Sequence, residues 1–211
     1  AILDADVYGF SIPKMLGLDQ QPVVIDGMIV PPVAHGLSVM STGFLVADDQ
    51  PVIWRGPMLH KALNQFLTDV YWGEPDYLLV DMPPGTGDVA LSLAQFMPRT
   101  EVYVVTTPQP AAQKVAALSA AMAAKVNLPV KGIIENMSWF TGDDGSRYEL
   151  FGSGGGQALA DELGVDRVFT RGTTPGEVAI TDAELPSSTR PVRRVHSRNE
   201  PSCPAQDAEK R

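Results

Sequence analysis

The chain has 211 residues, of which 44% are hydrophobic, so it has enough apolar material for a well-buried core and does not have the composition of a disordered protein. The net charge is −9, and residues 1–165 carry 18 acidic against 8 basic side chains, which argues against a broad basic face for nucleic acid. No run approaches the roughly 18 apolar residues of a membrane helix, and residues 1–20 lack a secretory signal, so we expect a cytoplasmic protein without membrane partners.

The first residues predict a buried strand. AILDAD runs from apolar residues straight into two aspartates, with no polar cap or turn before it. We therefore expect a segment upstream of Ala1 to be missing. SIPKMLGL follows as a short helix, and PVVIDGMIV and LSVMSTGFLV are short strand-like runs bounded by Gly, Pro and Asp.

An amphipathic helix is predicted over residues 55–72. Its apolar side chains recur at spacings of three and four, and Pro57 suits the first turn of a helix. The residues expected on the buried face are Met58, Leu59, Leu63, Phe66, Leu67 and Val70.

Strands and helices then alternate regularly. YLLVDM, EVYVVTT and VKGIIEN read as strands, and DVALSLAQFM and AAQKVAALSAAMAAKV read as the helices between them. Nearly continuous apolar strands, separated by helices of crossover length, are typical of a sheet covered on both faces. The pattern predicts an α/β fold with a doubly wound, mostly parallel sheet.

Polar side chains follow the ends of these strands. Ligands of such sheets bind beyond the carboxyl ends of the strands, so the clustering predicts one site at that edge. The residues concerned are Asp4, Asp6, Asp81, Thr106, Thr107, Glu135 and Asn136.

The character of the sequence changes near residue 165. SWFTGDDGSRYELFG predicts a turn that folds back on itself, and GSGGGQALADELG predicts a glycine loop leading into a short helix. Residues 166–211 hold seven of the ten arginines, with many Pro, Ser and Thr. We therefore divide the chain into an α/β domain at 1–165 and a divergent, disordered tail at 166–211.

The stretch YLLVDMPPGTGD carries the clearest chemical signal. An apolar strand that ends in a carboxylate, Asp81, is the Walker-B arrangement that orders magnesium beside nucleotide phosphates. The glycines after it allow backbone N–H groups to approach an anion closely. From this pattern alone, the alternative that Asp81 merely caps the next helix or turn stays open. His35 and His60 are interpreted as structural, and the glycines at 152–156 as a loop, since no Lys-Ser or Lys-Thr follows them.

Several motifs, in this order, closely resemble the Mrp/ApbC family of P-loop ATPases, iron–sulphur cluster carriers of the deviant-Walker group that includes MinD and ParA. The resemblance covers about residues 1–165. The motifs are DADVYGFSIPKMLG, LSVMSTGFLV, PVIWRGPMLHKALNQFL, YLLVDMPPGTGDVALSLAQ, VVTTPQPAA, GIIENMSWF and FGSGGGQALADELG.

The resemblance implies roles for individual residues. Asp6 matches the switch I aspartate that orients the attacking water, with Asp4 behind it as a support. Asp81 matches the Walker-B aspartate, which holds Mg²⁺ through water. Nucleotide contacts are implied for the loop after Asp81 and for an asparagine that reads the adenine edge: Pro83, Gly85, Gly87 and Asn136.

The resemblance also implies ATP and Mg²⁺ as cofactors, a homodimer, and client apoproteins of iron–sulphur assembly. Family members carry a strand and a GKGGVGKS/T loop upstream, and residues 1–211 contain neither. Without that lysine-rich, amide-rich loop the acidic residues alone repel a triphosphate, so we expect an inactive fragment that binds ATP weakly and whose sheet has an exposed seam.

The residues expected to bind an iron–sulphur cluster also differ from those of the family. Many relatives carry a Cys-x-x-Cys pair after ENMSxF, where this chain reads WFTGDDG, and its one cysteine is Cys203. The sequence therefore predicts no iron–sulphur ligands, which speaks against a [4Fe–4S] cluster bridging two subunits. Two alternatives are a non-enzymatic scaffold or dimerisation module of the same family, and a MinD- or ParA-like positioning ATPase.

Overall fold

Strands and helices alternate through the computed structural model, which describes residues 1–45, 56–84 and 87–173. In chain order the elements are β1 (Ile2–Asp4), α1 (Ile12–Met15), β2 (Val23–Ile25), β3 (Met28–Val30), β4 (Val33–Ala34), β5 (Leu37–Ser41), α2 (Gly56–Thr68), β6 (Leu79–Asp81), α3 (Gly87–Phe96), β7 (Val102–Thr106), α4 (Pro110–Lys125), β8 (Val130–Glu135), β9 (Phe140–Thr141), β10 (Arg147–Tyr148), α5 (Gly155–Leu163) and β11 (Val168–Thr170).

The first half of the fold is a four-stranded sheet in the order β4–β5–β1–β6. β1 pairs in parallel with both β5 and β6, and β4 adds an antiparallel edge. One face of this sheet packs against the amphipathic helices α2 and α3, as the spacing of their apolar residues requires. The buried apolar residues of this first core are Leu3, Ala5, Val7, Met40, Leu59, Leu63, Phe66, Val70, Val89 and Leu93.

The second half is a parallel three-stranded sheet in the order β11–β8–β7. Helices α4 and α5 cover one of its faces. Small alanines on α4 let the helix lie close to the strands. The second core consists of Val104, Ala116, Ala120, Ile133, Leu159 and Ala160, and it shares no side chain with the first.

A gap separates the two half-sheets. β6 ends one strand order and β7 begins the other, so in the described part of the chain no strand pairs with the outer edge of either. A cavity of about 730 Å³ lies between them. The mostly parallel α/β fold predicted from the sequence is confirmed.

Some boundaries differ from the sequence predictions. Helix α2 ends at Thr68, and Val70 is buried beyond it in an isolated bridge to Ile29. The run LSVMSTGFLV is a strand only up to Ser41, after which a 3₁₀ turn spans Thr42–Leu45.

The region around residue 165 continues the second sheet. β11 lies after the boundary predicted at residue 165, and it pairs with β8. The turn predicted around residue 144 is confirmed as the β9–β10 hairpin. Residues 174–211, which hold most of the predicted tail, lie outside the described part of the chain. No helix in the described ranges is long and apolar enough to cross a membrane.

The two ends of the apolar stripe on α2 differ in burial, and this difference can be tested. Leu63 is 0% exposed, whereas Met58, predicted on the same face, is 49% exposed. We expect Leu63→Ala to lower the free energy of unfolding by about 2–5 kcal/mol, because it leaves a cavity in the first core. Met58→Ala should change it by no more than about 0.5 kcal/mol. Urea denaturation followed by circular dichroism measures both, and equal losses would contradict the packing of α2.

Candidate functional site

A buried carboxylate organises the carboxyl end of β1. Asp4 is inaccessible to solvent, and its Oδ2 accepts hydrogen bonds from Ser41 Oγ (3.1 Å) and from the backbone N–H groups of Ser11 (3.1 Å) and Ile12 (3.2 Å). Its Oδ1 accepts a fourth hydrogen bond, from the N–H of Asp6 (3.2 Å). The carboxylate thus ties the loop after β1 to β5 and to the start of α1. We call this network the Asp4 anchor.

Asp6 lies at the start of the anchored loop. Its Oδ1 accepts hydrogen bonds from the N–H groups of Tyr8 (3.1 Å) and Gly9 (2.9 Å). A Cβ at position 9 would come within 2.7 Å of Asp6 Oδ2, so a side chain there would displace the Asp6 carboxylate. Thr42 Oγ1 donates to the carbonyl of Asp6 (3.1 Å). The loop therefore holds Asp6 by its backbone and by one carboxylate oxygen.

Asp81 ends β6 next to the Asp4 anchor. It is in register with Asp4 across the parallel pair, and its carbonyl accepts the N–H of Ala5 (2.9 Å). Partial removal of its carboxyl group from water raises the pKa of Asp81, and the negative charges of Asp4 and then Asp6 raise it further. The aspartates predicted from the strand ends are thus brought together as one acidic cluster of Asp4, Asp6 and Asp81.

The loop after Asp81 is only partly described. Pro83 is buried, and Gly87 is the first residue of α3, where a Cβ would lie 3.0 Å from Met122 Cε. Gly85, predicted as a nucleotide contact, lies outside the described residues. For Pro83 and Gly87, a nucleotide contact stays a prediction.

Asn136 belongs to the second half-sheet. It follows β8, its N–H donates to the carbonyl of Thr106 (2.8 Å), and its Oδ1 accepts the N–H of Met137 (3.0 Å). Met137 has a positive φ of 57°, so the chain turns sharply there. Asn136 and Asp81 line the same cavity between the half-sheets. The structure thus places both predicted residues around one opening.

Glu135 forms a second buried network that the sequence indicated only as a strand-end carboxylate. It is 1% exposed; Ser138 Oγ donates to its Oε1 (2.8 Å), and the N–H of Gly156 donates to its Oε2. A Cβ on Gly156 would lie 2.7 Å from Glu135 Cβ, which explains a glycine at the first turn of α5. Neither the contact between Gly156 and Glu135 nor the contact between Ser41 and Asp4 has a local sequence signal, because the partners are distant in sequence.

The acidic cluster suits a metal that keeps most of its own water. In the described part of the chain, no three His, Cys, Asp or Glu side chains form a group able to hold a metal ion by themselves. The oxygens of Asp4 are occupied by four hydrogen bonds, whereas the side chain of Asp81 is exposed. Magnesium is usually held by one or two carboxylates together with phosphates and water, and Asp81 fits that role.

The turn between β9 and β10 contains two aspartates, Asp143 and Asp144. The N–H (2.9 Å) and Oγ (2.9 Å) of Ser146 and the hydroxyl of Tyr148 (3.2 Å) donate to the carboxylate of Asp144. The backbone hydrogen bond from Ser146, followed by the bond from its side chain, holds the pKa of Asp144 below its ordinary value. This carboxylate closes the hairpin. Arg147 stacks over Trp139 at 4.4 Å on the same hairpin.

Parallel strands with carboxylates at adjacent carboxyl ends define an α/β protein with a candidate ligand site at that edge of the sheet. Residues 1–190 match the family described as "ParA: NUBPL iron-transfer P-loop NTPase". The chain belongs to this family of iron-transfer P-loop NTPases. The resemblance to iron–sulphur carriers noted in the sequence is thereby confirmed.

Known relatives agree with this assignment. The chain is 51% identical over 162 residues to the "Iron-sulfur cluster carrier protein" of Mycobacterium leprae, covering 77% of this chain and 42% of that protein. It is 47% identical over 165 residues to the protein of the same name from Bacillus subtilis, covering 78% of this chain and 47% of that protein. The chain thus spans about half the length of these curated relatives.

A solved structure has a similar fold. A nucleotide-binding protein from Archaeoglobus fulgidus, in complex with ADP and with cobalt, superposes with a TM-score of 0.66 at 35% identity. The match covers 81% of this chain and 68% of that chain. The likeness therefore extends over most of the α/β body.

Loss of the Asp4 anchor should destabilise the protein. Asp4→Ala leaves four donors without their acceptor in a buried place, so we expect the free energy of unfolding to fall by about 2–4 kcal/mol. Ser41→Ala removes one donor and should cost about 1 kcal/mol. Asp19→Ala, at an exposed loop position, is the control and should stay within about 0.5 kcal/mol. Urea denaturation decides, and an Asp4→Ala value equal to the control would refute the anchor.

The raised pKa of Asp81 predicts a pH-dependent cost to stability. An aspartate with a raised folded-state pKa is harder to ionise in the folded protein, so its cost is absent below the unfolded pKa of about 3.9 and complete above the folded pKa. Asp81→Asn should therefore raise the melting temperature at pH 7 by about 1–3 °C and leave it unchanged at pH 3. Thermal scans across this range test it, with the exposed Asp76→Asn as the charge-matched control. A gain at pH 3 as large as at pH 7 would contradict it.

Proposed function

We propose that this chain contains the metal-binding and water-binding half of the nucleotide site of an iron–sulphur cluster carrier. The observation that supports this most directly is the parallel pairing of β1 and β6, which brings Asp6 and Asp81 to the same sheet edge beside the buried Asp4. Ligands of open α/β sheets bind at that edge. Family membership supplies the expected ligand, a nucleoside triphosphate with magnesium.

Asp81 would hold a magnesium-bound water. Its exposed carboxylate lies at the end of β6, and a nearby cation would lower its raised pKa and so favour its charged form. Magnesium, when bound, neutralises charge on the β and γ phosphates. Asp81 thereby couples the presence of the metal to the position of β6.

Asp6 would orient the attacking water. One of its carboxylate oxygens accepts hydrogen bonds from Tyr8 and Gly9, so its side-chain orientation is set before a nucleotide arrives. The Asp4 anchor fixes the loop that carries it. Positioning of this kind is the main contribution a protein makes to phosphoryl transfer. Asp4 acts as a positioning residue in this proposal.

Affinity for the triphosphate requires positive charge beside the acidic cluster. The sequence has no GKGGVGKS/T loop, and the acidic cluster repels phosphate when no cation is present. Asn136 would recognise the adenine edge, and the loop with Pro83, Gly85 and Gly87 would respond to the γ phosphate. The chain alone should therefore bind MgATP weakly.

An iron–sulphur cluster would be the cargo that this protein delivers to client apoproteins in the cytoplasm. Two subunits would work together as a homodimer. Thiolates are the preferred ligands of iron–sulphur clusters, and each chain has one cysteine, Cys203. The carboxylate of Asp144 is a hard donor already engaged by Ser146 and Tyr148. A cluster would therefore need thiolates from outside residues 1–202 of this chain.

A chimera tests the nucleotide role. The 165-residue matched region of the Bacillus subtilis carrier would be replaced by the corresponding residues of this chain. We expect MgATP hydrolysis to be retained, and we expect Asp6→Asn or Asp81→Asn in the chimera to lower kcat by about 100-fold or more. Asp76→Asn is the control and should leave kcat unchanged. Phosphate release and transfer of iron to an apoprotein are the measurements.

Two further results of the same experiment would count against the proposal. Full activity of the Asp6→Asn and Asp81→Asn chimeras would remove both residues from the site. Cluster delivery without any phosphate release, in chimera and variants alike, would favour a scaffold over an ATPase. Titration of the unmodified chain with a fluorescent ATP analogue and magnesium completes the set, and micromolar binding would show that the acidic half does not need a cationic partner.

A further inference from the structure

The hairpin formed by β2 and β3 is attached to the rest of the protein along β3. Ile29 on β3 donates its N–H to the carbonyl of Asp69 and accepts the N–H of Tyr71, both at 2.8 Å, and its side chain packs against the first core. β2 lies on the other side of β3, in a sheet of two strands. In the described part of the chain, no strand pairs with the outer edge of β2.

The backbone of Val24 points to this outer edge. Val24 lies opposite Ile29 in the antiparallel register, and the backbone groups of Ile29 are bonded to Asp69 and Tyr71 instead of to β2. Opposite residues of an antiparallel pair point their backbone groups either toward each other or both outward. The N–H and carbonyl of Val24 therefore point away from β3, in the direction from which a further strand can pair.

The hairpin also exposes an apolar face beside that edge. Alternation along the strands puts Val23 and Ile25 on one face, together with their cross-strand partners Val30 and Met28. Val23 is 53% exposed, Ile25 is 55% exposed and Met28 is 38% exposed. Edge strands are often protected from pairing by a charged side chain, and the sequence of β2, VVI, has none. An open backbone edge next to apolar side chains is what an added β-strand needs.

The charge around the hairpin is acidic. Asp26 is exposed in its turn, and Asp69 is bonded to β3 through its carbonyl. Glu74 and Asp76 are exposed in the loop that follows Val70. Residues 15–45 and 62–84 contain no lysine or arginine. A second copy of this chain would bring the same negative charge to the edge, whereas a segment with basic side chains is complementary to it.

We propose that the outer edge of β2 is a docking site for a short extended segment of another protein, antiparallel to β2, with residues in the order basic, apolar, any, apolar. Antiparallel addition lets Val24 exchange two hydrogen bonds with one residue of the segment. The residues on either side of that one lie next to Ile25 and Val23, so they are apolar. The residue before them lies near Asp26, so it is a lysine or arginine.

The pairing is short, and the affinity should be correspondingly low. Pro22 precedes β2 and has no N–H, so the hydrogen-bonded edge does not extend in that direction. The docking site involves neither nucleotide nor the acidic cluster. Its test contains no ATP and no magnesium, so its failure is separate from failure of the proposed function.

Peptide binding to the full chain tests the proposal. The probe is a blocked peptide with the sequence Gly-Arg-Lys-Ile-Thr-Val-Thr-Gly, added to isotope-labelled protein and followed by NMR. We expect saturable shifts of the amide signals of Val23, Val24 and Ile25, with a dissociation constant of about 0.1 mM. Absence of saturable shifts at these residues up to about 5 mM peptide would overturn the proposal.

Two control peptides separate strand pairing from adhesion to an apolar surface. Proline in place of the threonine between the isoleucine and the valine removes the donor to the Val24 carbonyl, and it should weaken binding about tenfold or more. Glutamate in place of both the arginine and the lysine should also weaken binding about tenfold or more, because the acidic surroundings then repel the peptide. Equal affinity for all three peptides would overturn the proposal.

Matched variants locate the site on the protein. Val23→Thr keeps a β-branched side chain but removes apolar surface, so it should weaken binding about threefold or more, whereas Val105→Thr, at a 59% exposed position of β7, should not. Asp26→Asn should weaken binding by a similar factor, and asparagine suits the positive φ of 50° there. Asp143→Asn, exposed in the turn of the other hairpin, is its control. Equal effects within both pairs would refute the location.

A variant of the edge itself distinguishes the proposed partner from a second copy. Val24→Pro removes the outward N–H and leaves the bonds between β2 and β3 in place, so it should weaken peptide binding about tenfold or more. The free chain should have the same oligomeric state with and without this substitution, measured by light scattering. A peptide-free dimer that Val24→Pro converts to monomer would show that a second copy occupies the edge, and would refute the proposal.

Discussion

Burial of the Asp4 carboxylate is the constraint on which the site depends. A charged group without solvent contact is tolerated only when its oxygens are fully hydrogen-bonded, and here four donors from three parts of the chain converge on it. Meeting that requirement fixes where β1 ends, how the following loop leaves the sheet and where α1 begins. The orientation of Asp6 follows from the path of that loop. The pKa of Asp81 is raised first by its own partial burial and then by the charge of Asp4, its neighbour in register.

The acidic cluster and the cavity between the half-sheets share one strand, β6. Like charges gathered at one sheet edge stabilise nothing by themselves, and an unpaired strand edge beside an apolar cavity exposes backbone and side chains that favour burial. Asp81 belongs to both features, since it is part of the acidic cluster and also lines the cavity between the half-sheets.

Much of the fold could be predicted from local pattern. The spacing of Leu59, Leu63 and Phe66 identified α2, and aspartates after apolar runs identified the edge at which the site forms. The exposure of Met58 could not be predicted, since it depends on where the sheet stops covering the helix. The contacts from Ser41 to Asp4 and from Gly156 to Glu135 could not be predicted either, because they join residues far apart in sequence. Resemblance to a family identified the role of Asn136 only as an expectation, since no local signal marks an adenine contact.

The separation of the apolar residues into two cores bears on how the chain unfolds. Each half-sheet is covered by its own pair of helices, and among the described residues no buried side chain belongs to both groups. Helices α3 and α4 nevertheless contact each other, so the halves are parts of one compact unit. Opening the structure where the halves meet breaks few buried contacts, so this region should become accessible to proteases before either core does.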